Sequence, residues 1–169
     1  MSAPVARQVE YAGFWIRVGA FVVDSLAISI VLTPLGYALF GRRDTMGELL
    51  AAQGIEDPMT RLLALSSLLA PASLGEFLLN YGLPALAVVL FWMYKSATPG
   101  KMATLTAIAD AKTLGPPTQR QCVVRYLGYF VSIFTLGLGF LWIAWDRRKQ
   151  GFHDKMAGTV VVKVPKPPR

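Results

Sequence analysis

The chain has 169 residues, 54% of them hydrophobic and 16% charged, with a mean hydropathy of +0.46. That balance excludes an ordinary water-soluble domain, and the formal charge of +7 comes from basic residues that flank apolar runs, the juxtamembrane pattern rather than the clustered face of a nucleic-acid binder. A single cysteine, Cys122, excludes an internal disulfide, and a single histidine, His153, without a cysteine cluster excludes a zinc finger or ribbon, so no metal and no cofactor is expected.

Residues 1–10 and 163–169 read as loose polar termini around a single membrane domain whose core runs over 11–162 of 1–169. No basic region with a small-residue cleavage pattern precedes the first apolar run, which is therefore read as a span and not a removable leader. Tyr11, Phe14 and Trp15 stand where an interfacial aromatic belt holds the start of that span.

The span is FWIRVGAFVVDSLAISIVLTPLGYALF, Phe14 to Phe40. From Val18 to Phe40, Asp24 is the only charge, and at about 1.5 Å per residue the stretch crosses a hydrocarbon core of roughly 30 Å. Arg17 and Asp24, two helical turns apart, lie on one stripe of the helix. Placing a carboxylate near mid-bilayer costs about 2.5–3.5 kcal/mol on insertion scales, so Asp24 needs polar company. Two readings of it stand: a carrier of a proton or cation, and a fixed contact that locks helices together. Arg17, roughly 10 Å along the axis from Asp24, is expected to snorkel to headgroups or to meet an acid from the tail.

Pro34 is a kink candidate, and Gly41 to Thr60 reads as a polar, water-facing connection ending in Asp57-Pro58. Leu62 to Leu74 is too short to span and suggests an interfacial helix; Phe77 to Tyr94, with Asn80 and Pro84 inside, is the second span. Thr98-Pro99-Gly100-Lys101 is expected to break the helix as a turn with a snorkelling Lys101, in preference to a cradle for a phosphate or headgroup. Rough alternation over Met102 to Ala111 and the β-branched run Val160 to Val162 point to a short strand pair at the cytoplasmic face. Thr118 to Gln121 begins a helix that continues through Arg125, and the apolar run Tyr126 to Trp145 is interrupted by Gly137-Leu138-Gly139.

Charge asymmetry bears on that third run. A re-entrant hairpin about the glycine break puts fourteen Lys and Arg on one side against three on the other, whereas a full third crossing gives ten against seven. The hairpin is therefore preferred, with both termini cytoplasmic and a third full span as the alternative. The fold class is an all-α membrane protein with two transmembrane helices.

Taken together, Gly13-Phe14-Trp15-Ile16-Arg17 leading to Asp24, the Thr98-Pro99-Gly100-Lys101 segment, Arg125-Tyr126 and the tail Gly151-Phe152-His153-Asp154-Lys155-Met156-Ala157-Gly158-Thr159 resemble the RDD family of small bacterial membrane proteins. The resemblance implies one arginine and two aspartates as the family's polar residues: Arg17, Asp24 and Asp154, with Asp146 as the rival for the last. It also implies the bacterial cytoplasmic membrane, and an activity, cation/proton exchange, proposed for some members.

Five expectations about function follow. Transport of a proton or small cation through the Arg/Asp cluster needs a homo-oligomer or a membrane-protein partner, because two spans enclose no pathway. The rival is a non-catalytic scaffold or accessory subunit. No nucleophile elbow, Walker motif or dinucleotide loop is present, so no enzyme is expected. His153 offers a group that titrates near neutral pH or a surface turn, and Arg147, Arg148 and Lys149 read as contacts to anionic lipid headgroups.

Overall fold

A computed structural model describes residues 9–68 and 70–165 of the chain. Two helices are long and apolar enough to cross a membrane, Phe14–Phe40 and Leu74–Lys95. The first, α1 (Phe14–Phe40), runs unbroken through Pro34, and Ala20 is its one buried residue. Phe21, Ile30, Val31 and Leu39 are each more than half exposed, a surface that suits acyl chains and not water.

The proposed polar connection is largely helical. Asp44 caps α2 (Thr45–Gln53) by accepting from the Gly47 N–H, and Asp57 caps α3 (Pro58–Ser67) by accepting from the Thr60 N–H, with Pro58 in the first turn where its missing donor costs nothing. The short apolar helix expected over Leu62 to Leu74 is thus displaced toward the N-terminus, because the Asp57-Pro58 cap sets its start. The second span begins at α4 (Leu74–Phe77), continues through a π-helical turn (Leu78–Gly82) and ends in α5 (Leu83–Lys95). Pro84 has no N–H for the Asn80 carbonyl and its ring crowds that group, so a widened turn relieves the helix there.

Beyond the second span, Pro99–Ala103 forms α6, Thr106–Asp110 forms β1, Gln119–Phe134 forms α7, Leu138–Leu141 forms α8 and runs into a 3₁₀ turn (Trp142–Ala144), Phe152–Ala157 forms α9 and Thr159–Lys163 forms β2. The strands pair antiparallel with Ile108 opposite Val161 and Asp110 opposite Thr159, and Tyr11 adds an isolated bridge to Val162. The apolar run Tyr126 to Trp145 is not one straight helix. Thr118 and Gln121 form a reciprocal cap that starts α7 at Gln119, and the chain bends by 114° between α7 and the segment Leu138–Ala144, at the positive φ of Gly137.

Contacts group the chain into two units: residues up to Ala27 together with those from Ala87 onward, and Ile28–Leu86. The first has an apolar core of Ala12, Trp92, Ile108, Cys122 and Val161, flanked by Ile16, Val88, Met93, Tyr126 and Tyr129. In the second, Arg43 pairs with Glu48 and donates to the carbonyls of Ser67 and Ala70.

Candidate functional site

The polar residues of the first unit gather on three helices, α1, α7 and α9, and on the short α6. On α7 the buried residues are Cys122, Arg125, Gly128 and Ser132, spaced three, three and four apart, which is one helical face. That face meets α9. Gly128 makes the approach feasible: a Cβ there would lie 2.8 Å from His153 Cα.

Asp154 is fully buried and accepts from two arginines. Arg17 Nη1 donates to Asp154 Oδ2 at 2.6 Å, and Arg125 Nη1 donates to Oδ1. The Gly151 N–H adds a third bond to Oδ2 at 2.9 Å, which also closes the first turn of α9. Burial works against the Asp154 carboxylate, but Arg125 and Arg17 outweigh it and hold its pKa well below the usual range. Each guanidinium makes further bonds, although Arg125 Nε has no acceptor among the described residues. Arg17 donates to the Ala12 carbonyl at 3.0 Å and the Lys149 carbonyl at 2.5 Å, and Arg125 donates to Thr159 Oγ1 at 2.8 Å. Arg17 therefore meets the tail acid, the second of the two fates expected for it.

Asp24, by contrast, forms no ion pair within the described residues. Thr98 Oγ1 donates to its Oδ2 at 2.5 Å and the Gly100 N–H to its Oδ1 at 2.7 Å. Thr98-Pro99-Gly100-Lys101 is not a simple helix-ending turn. Thr98 is the N-cap of α6 with Pro99 in the first helical position, and Asp24 of α1 takes up free donors at that start. Gly100 is required by space, since a Cβ would stand 2.1 Å from the Ala20 carbonyl oxygen and 2.8 Å from Asp24 Cγ.

Lys101 does not extend as a solitary snorkelling cation. Its Nζ lies 5.9 Å from the centre of the Trp92 ring, and Arg125 Cζ lies 5.3 Å from the same centre and 5.9 Å from that of Tyr129. Trp92 Nε1 and Arg125 Nε are buried without an acceptor among the described residues, so this side of the cluster is rich in donors.

His153 is buried between Tyr129 and Phe140, with ring centroids 4.5 and 5.2 Å away, its Nδ1 3.3 Å from Ser132 Oγ and its Nε2 3.5 Å from Asp154 Oδ2. Burial lowers its pKa to about 3; Asp154 opposes this and Arg125, Arg17 and Lys101 reinforce it. The expectation of a group titrating near neutrality is therefore corrected: His153 is a neutral, packed ring. Asp146 stands apart, paired with Lys155 at 2.5 Å and accepting from the backbone of Arg148 and Gln150. Of the basic run, Arg147 is exposed, Arg148 donates to the Ala111 carbonyl at 2.5 Å and Lys149 Nζ to the Ala144 carbonyl at 2.9 Å. Among the described residues no group of three or more His, Cys, Asp or Glu is arranged to hold a metal.

Arg125 and Thr159 stand out in the sequence only as members of the resembling segments, and Tyr129 and Ser132 do not stand out. The signal for Arg125 was present in the spacing of small and polar residues along α7.

A curated relative, an uncharacterized protein of Rickettsia prowazekii, is 41% identical over 75 residues, a stretch that covers 44% of this chain and 41% of the relative, so less than half of that protein's length is spanned. No solved structure matches the chain. A model of the RDD family matches residues 11–158, which takes in Arg17, Asp24, Arg125 and Asp154. With its apolar helices and its site inside the matched range, the chain belongs to the RDD family of membrane proteins.

Proposed function

We propose that the protein carries a proton or small cation across a bacterial cytoplasmic membrane, with Asp24 as the group that holds it. The observation that carries this reading is the contrast between the cluster's two acids, Asp154 and Asp24. Asp154 is saturated by two arginines and a backbone donor, whereas among the described residues Asp24 is held by one hydroxyl and one N–H, both neutral, and keeps lone pairs free. A homo-oligomer or a second membrane protein completes the pathway, and the excess of basic residues outside Gly41–Leu74 favours cytoplasmic termini. In proteoliposomes holding the pure protein, a cation gradient should drive a change of internal pH that Asp24→Asn abolishes. No cation-dependent pH change, with Asp24→Asn indistinguishable from wild type, sinks the reading.

A scaffold or accessory role is supported by one specific observation, the Arg17–Asp154–Arg125 triad, in which both carboxylate oxygens are engaged and which has the character of a fixed lock. It predicts that Asp24→Asn lowers abundance with no selective loss of flux, and that a stoichiometric partner survives purification in mild detergent.

A further inference from the structure

The second unit holds a cavity of about 310 Å³ that neither functional reading uses. One face of α1 supplies Thr33 and Tyr37, a helical turn apart; the start of the second span supplies Glu76, Asn80 and Tyr81, and Arg43 completes the polar lining. The two helices approach closely there, since a Cβ on Gly36 would lie 3.6 Å from Leu79 Cδ2. The polar groups have capacity to spare. Glu76 Oε2 accepts the Ala72 N–H at 2.7 Å, but among the described residues Glu76 Oε1 has no donor and no cation at ion-pair distance. Arg43 Nη1 gives one hydrogen to the Ala70 carbonyl and keeps its second. The Arg43 pKa is raised, chiefly by its bond to Glu48 and in smaller part by the Glu76 charge, so the two unlike charges of the lining lie within electrostatic reach of each other. Thr33 and Asn80 are exposed on the two apolar spans, and their side chains make no hydrogen bond among the described residues. In hydrocarbon such groups need a partner that water does not supply.

The chemistry of this lining defines its ligand. Residues 28–86 carry five acids against three arginines, opposite in sign to the +7 of the whole chain, so a positive group is favoured here. Tyr37 and Tyr81, each more than half exposed, add aromatic rings of the kind that attract an ammonium. Glu76 and Asn80 stand two and six residues into Leu74–Lys95, about 3 and about 9 Å along its axis. With a headgroup layer of roughly 5–8 Å on each side of the hydrocarbon, the acid lies at headgroup level and the amide at the level of the ester carbonyls. We propose that this cavity binds the headgroup of an aminophospholipid from the leaflet remote from the N-terminus. The primary ammonium donates to Glu76 Oε1 beside the tyrosines, Arg43 takes the phosphate, and the Asn80 amide and Thr33 hydroxyl donate to ester carbonyls. A soluble zwitterion would match the two charges, but only a lipid brings acceptors to the depth of Asn80. A volume near the lower end for small-molecule sites holds a headgroup and leaves the acyl chains against the exposed apolar helix surfaces. The site stands whether or not Asp24 carries an ion.

The test is a lipid titration of the full-length protein in detergent, with bound lipid counted by native mass spectrometry. The probes share dioleoyl chains: phosphatidylethanolamine, its N,N-dimethyl derivative, phosphatidylcholine and phosphatidylglycerol. The expected result is saturable binding of phosphatidylethanolamine, with affinity falling as N–H donors are lost along the methylated series. Phosphatidylcholine and phosphatidylglycerol should bind more weakly by about tenfold or more, the fold-change that loss of a charge-assisted hydrogen bond brings. Glu76→Gln keeps an oxygen for the Ala72 N–H and should bring phosphatidylethanolamine down to the level of phosphatidylcholine. Glu56→Gln removes an acid of the same unit that does not line the cavity, and should change nothing. Equal affinity along the methylated series overturns the proposal, and that arm uses the wild-type protein, so it needs no variant to fold. A Glu76→Gln protein that keeps the preference overturns it as well. Displacement of the lipid by soluble glycerophosphoethanolamine at an equal concentration would make the ligand a solute and overturn the lipid assignment.

Discussion

Replacing Asp154 by Asn keeps the shape of the side chain and removes its charge, which tests the buried triad with little change in packing. The carboxylate serves donors on both oxygens: Arg125 on Oδ1, and Arg17 and the Gly151 N–H on Oδ2. An amide has one oxygen. Whichever way it is oriented, its NH₂ faces either Arg125 or the pair Arg17 and Gly151, donor against donor. Asp154 is fully buried and Arg125 is 1% exposed, so water does not replace the lost acceptor. Removing one partner of such a pair costs about 3–5 kcal/mol. With a folded state typically stable by 5–15 kcal/mol, that shifts the folded-to-unfolded ratio by roughly 10² to 10³ or more. Denaturant titration in mild detergent, followed by tryptophan fluorescence, reads the change. Adding Arg125→Met to Asp154→Asn should recover part of the loss, because the stranded cation is gone and the two effects are coupled. An Asp154→Asn protein within ~1 kcal/mol of wild type would show that the triad does not hold the unit together.

Three further outcomes are expected. Gly100→Ala forces a methyl against the Ala20 carbonyl oxygen and Asp24, so it should destabilise by about 1–3 kcal/mol in the same titration and weaken the Asp24–Gly100 bond, whereas Gly115→Ala, with only the Thr113 hydroxyl 3.4 Å away, should cost less. Because the folded pKa of His153, about 3, lies below the unfolded value, protons bind the unfolded chain first; stability is full above about pH 6.5 and should fall as pH drops toward 3, by about 2 kcal/mol at pH 5, a loss that His153→Gln removes and that unfolding curves at several pH values will reveal. Lys155→Ala breaks one exposed ion pair and should cost under ~1 kcal/mol, while Asp146→Ala also strips the acceptor from the Arg148 and Gln150 N–H groups and should cost more, a difference that parallel melts of the two variants would expose.

What the sequence made legible is what local physics determines. Apolar length marked both spans, the Thr118-x-x-Gln121 pattern gave the start of α7, β-branched residues gave β2, and Gly137 gave the break between α7 and α8. Missed elements depended on chemistry that composition hides. The polar segment after Phe40 looked like loop because its residues are charged, but Asp44 and Asp57 are caps and the residues behind them are good helix formers. Thr98 to Lys101 looked like a helix stop, which it is, and it is also a helix start that needs an acceptor from another element; only the fold supplies Asp24. His153 looked like a titrating group because its type titrates near neutrality in water. Its burial between Tyr129 and Phe140 is tertiary and leaves no trace in spacing.

The same close contacts explain why Asp154 and Asp24 have different surroundings. Between helices in lipid there is little hydrophobic drive, so association rests on backbone approach at small residues and on polar bonds formed once lipid is excluded. Gly128 brings α7 onto the backbone of His153, and the adjoining Arg125 thereby reaches Asp154 in a fully buried site. Gly100 brings the start of α6 onto Ala20, and the adjoining donors thereby reach Asp24. The first contact delivers a guanidinium to a carboxylate and closes the charge balance locally. The second delivers a hydroxyl and an N–H, which orient the carboxylate without neutralising it, and Lys101, next to Gly100, has no acid at ion-pair distance among the described residues. A side chain larger than hydrogen at Gly128 should therefore loosen the lock, whereas one at Gly100 should disturb the acid that remains chemically available, and the two variants should separate loss of stability from loss of ion-dependent behaviour.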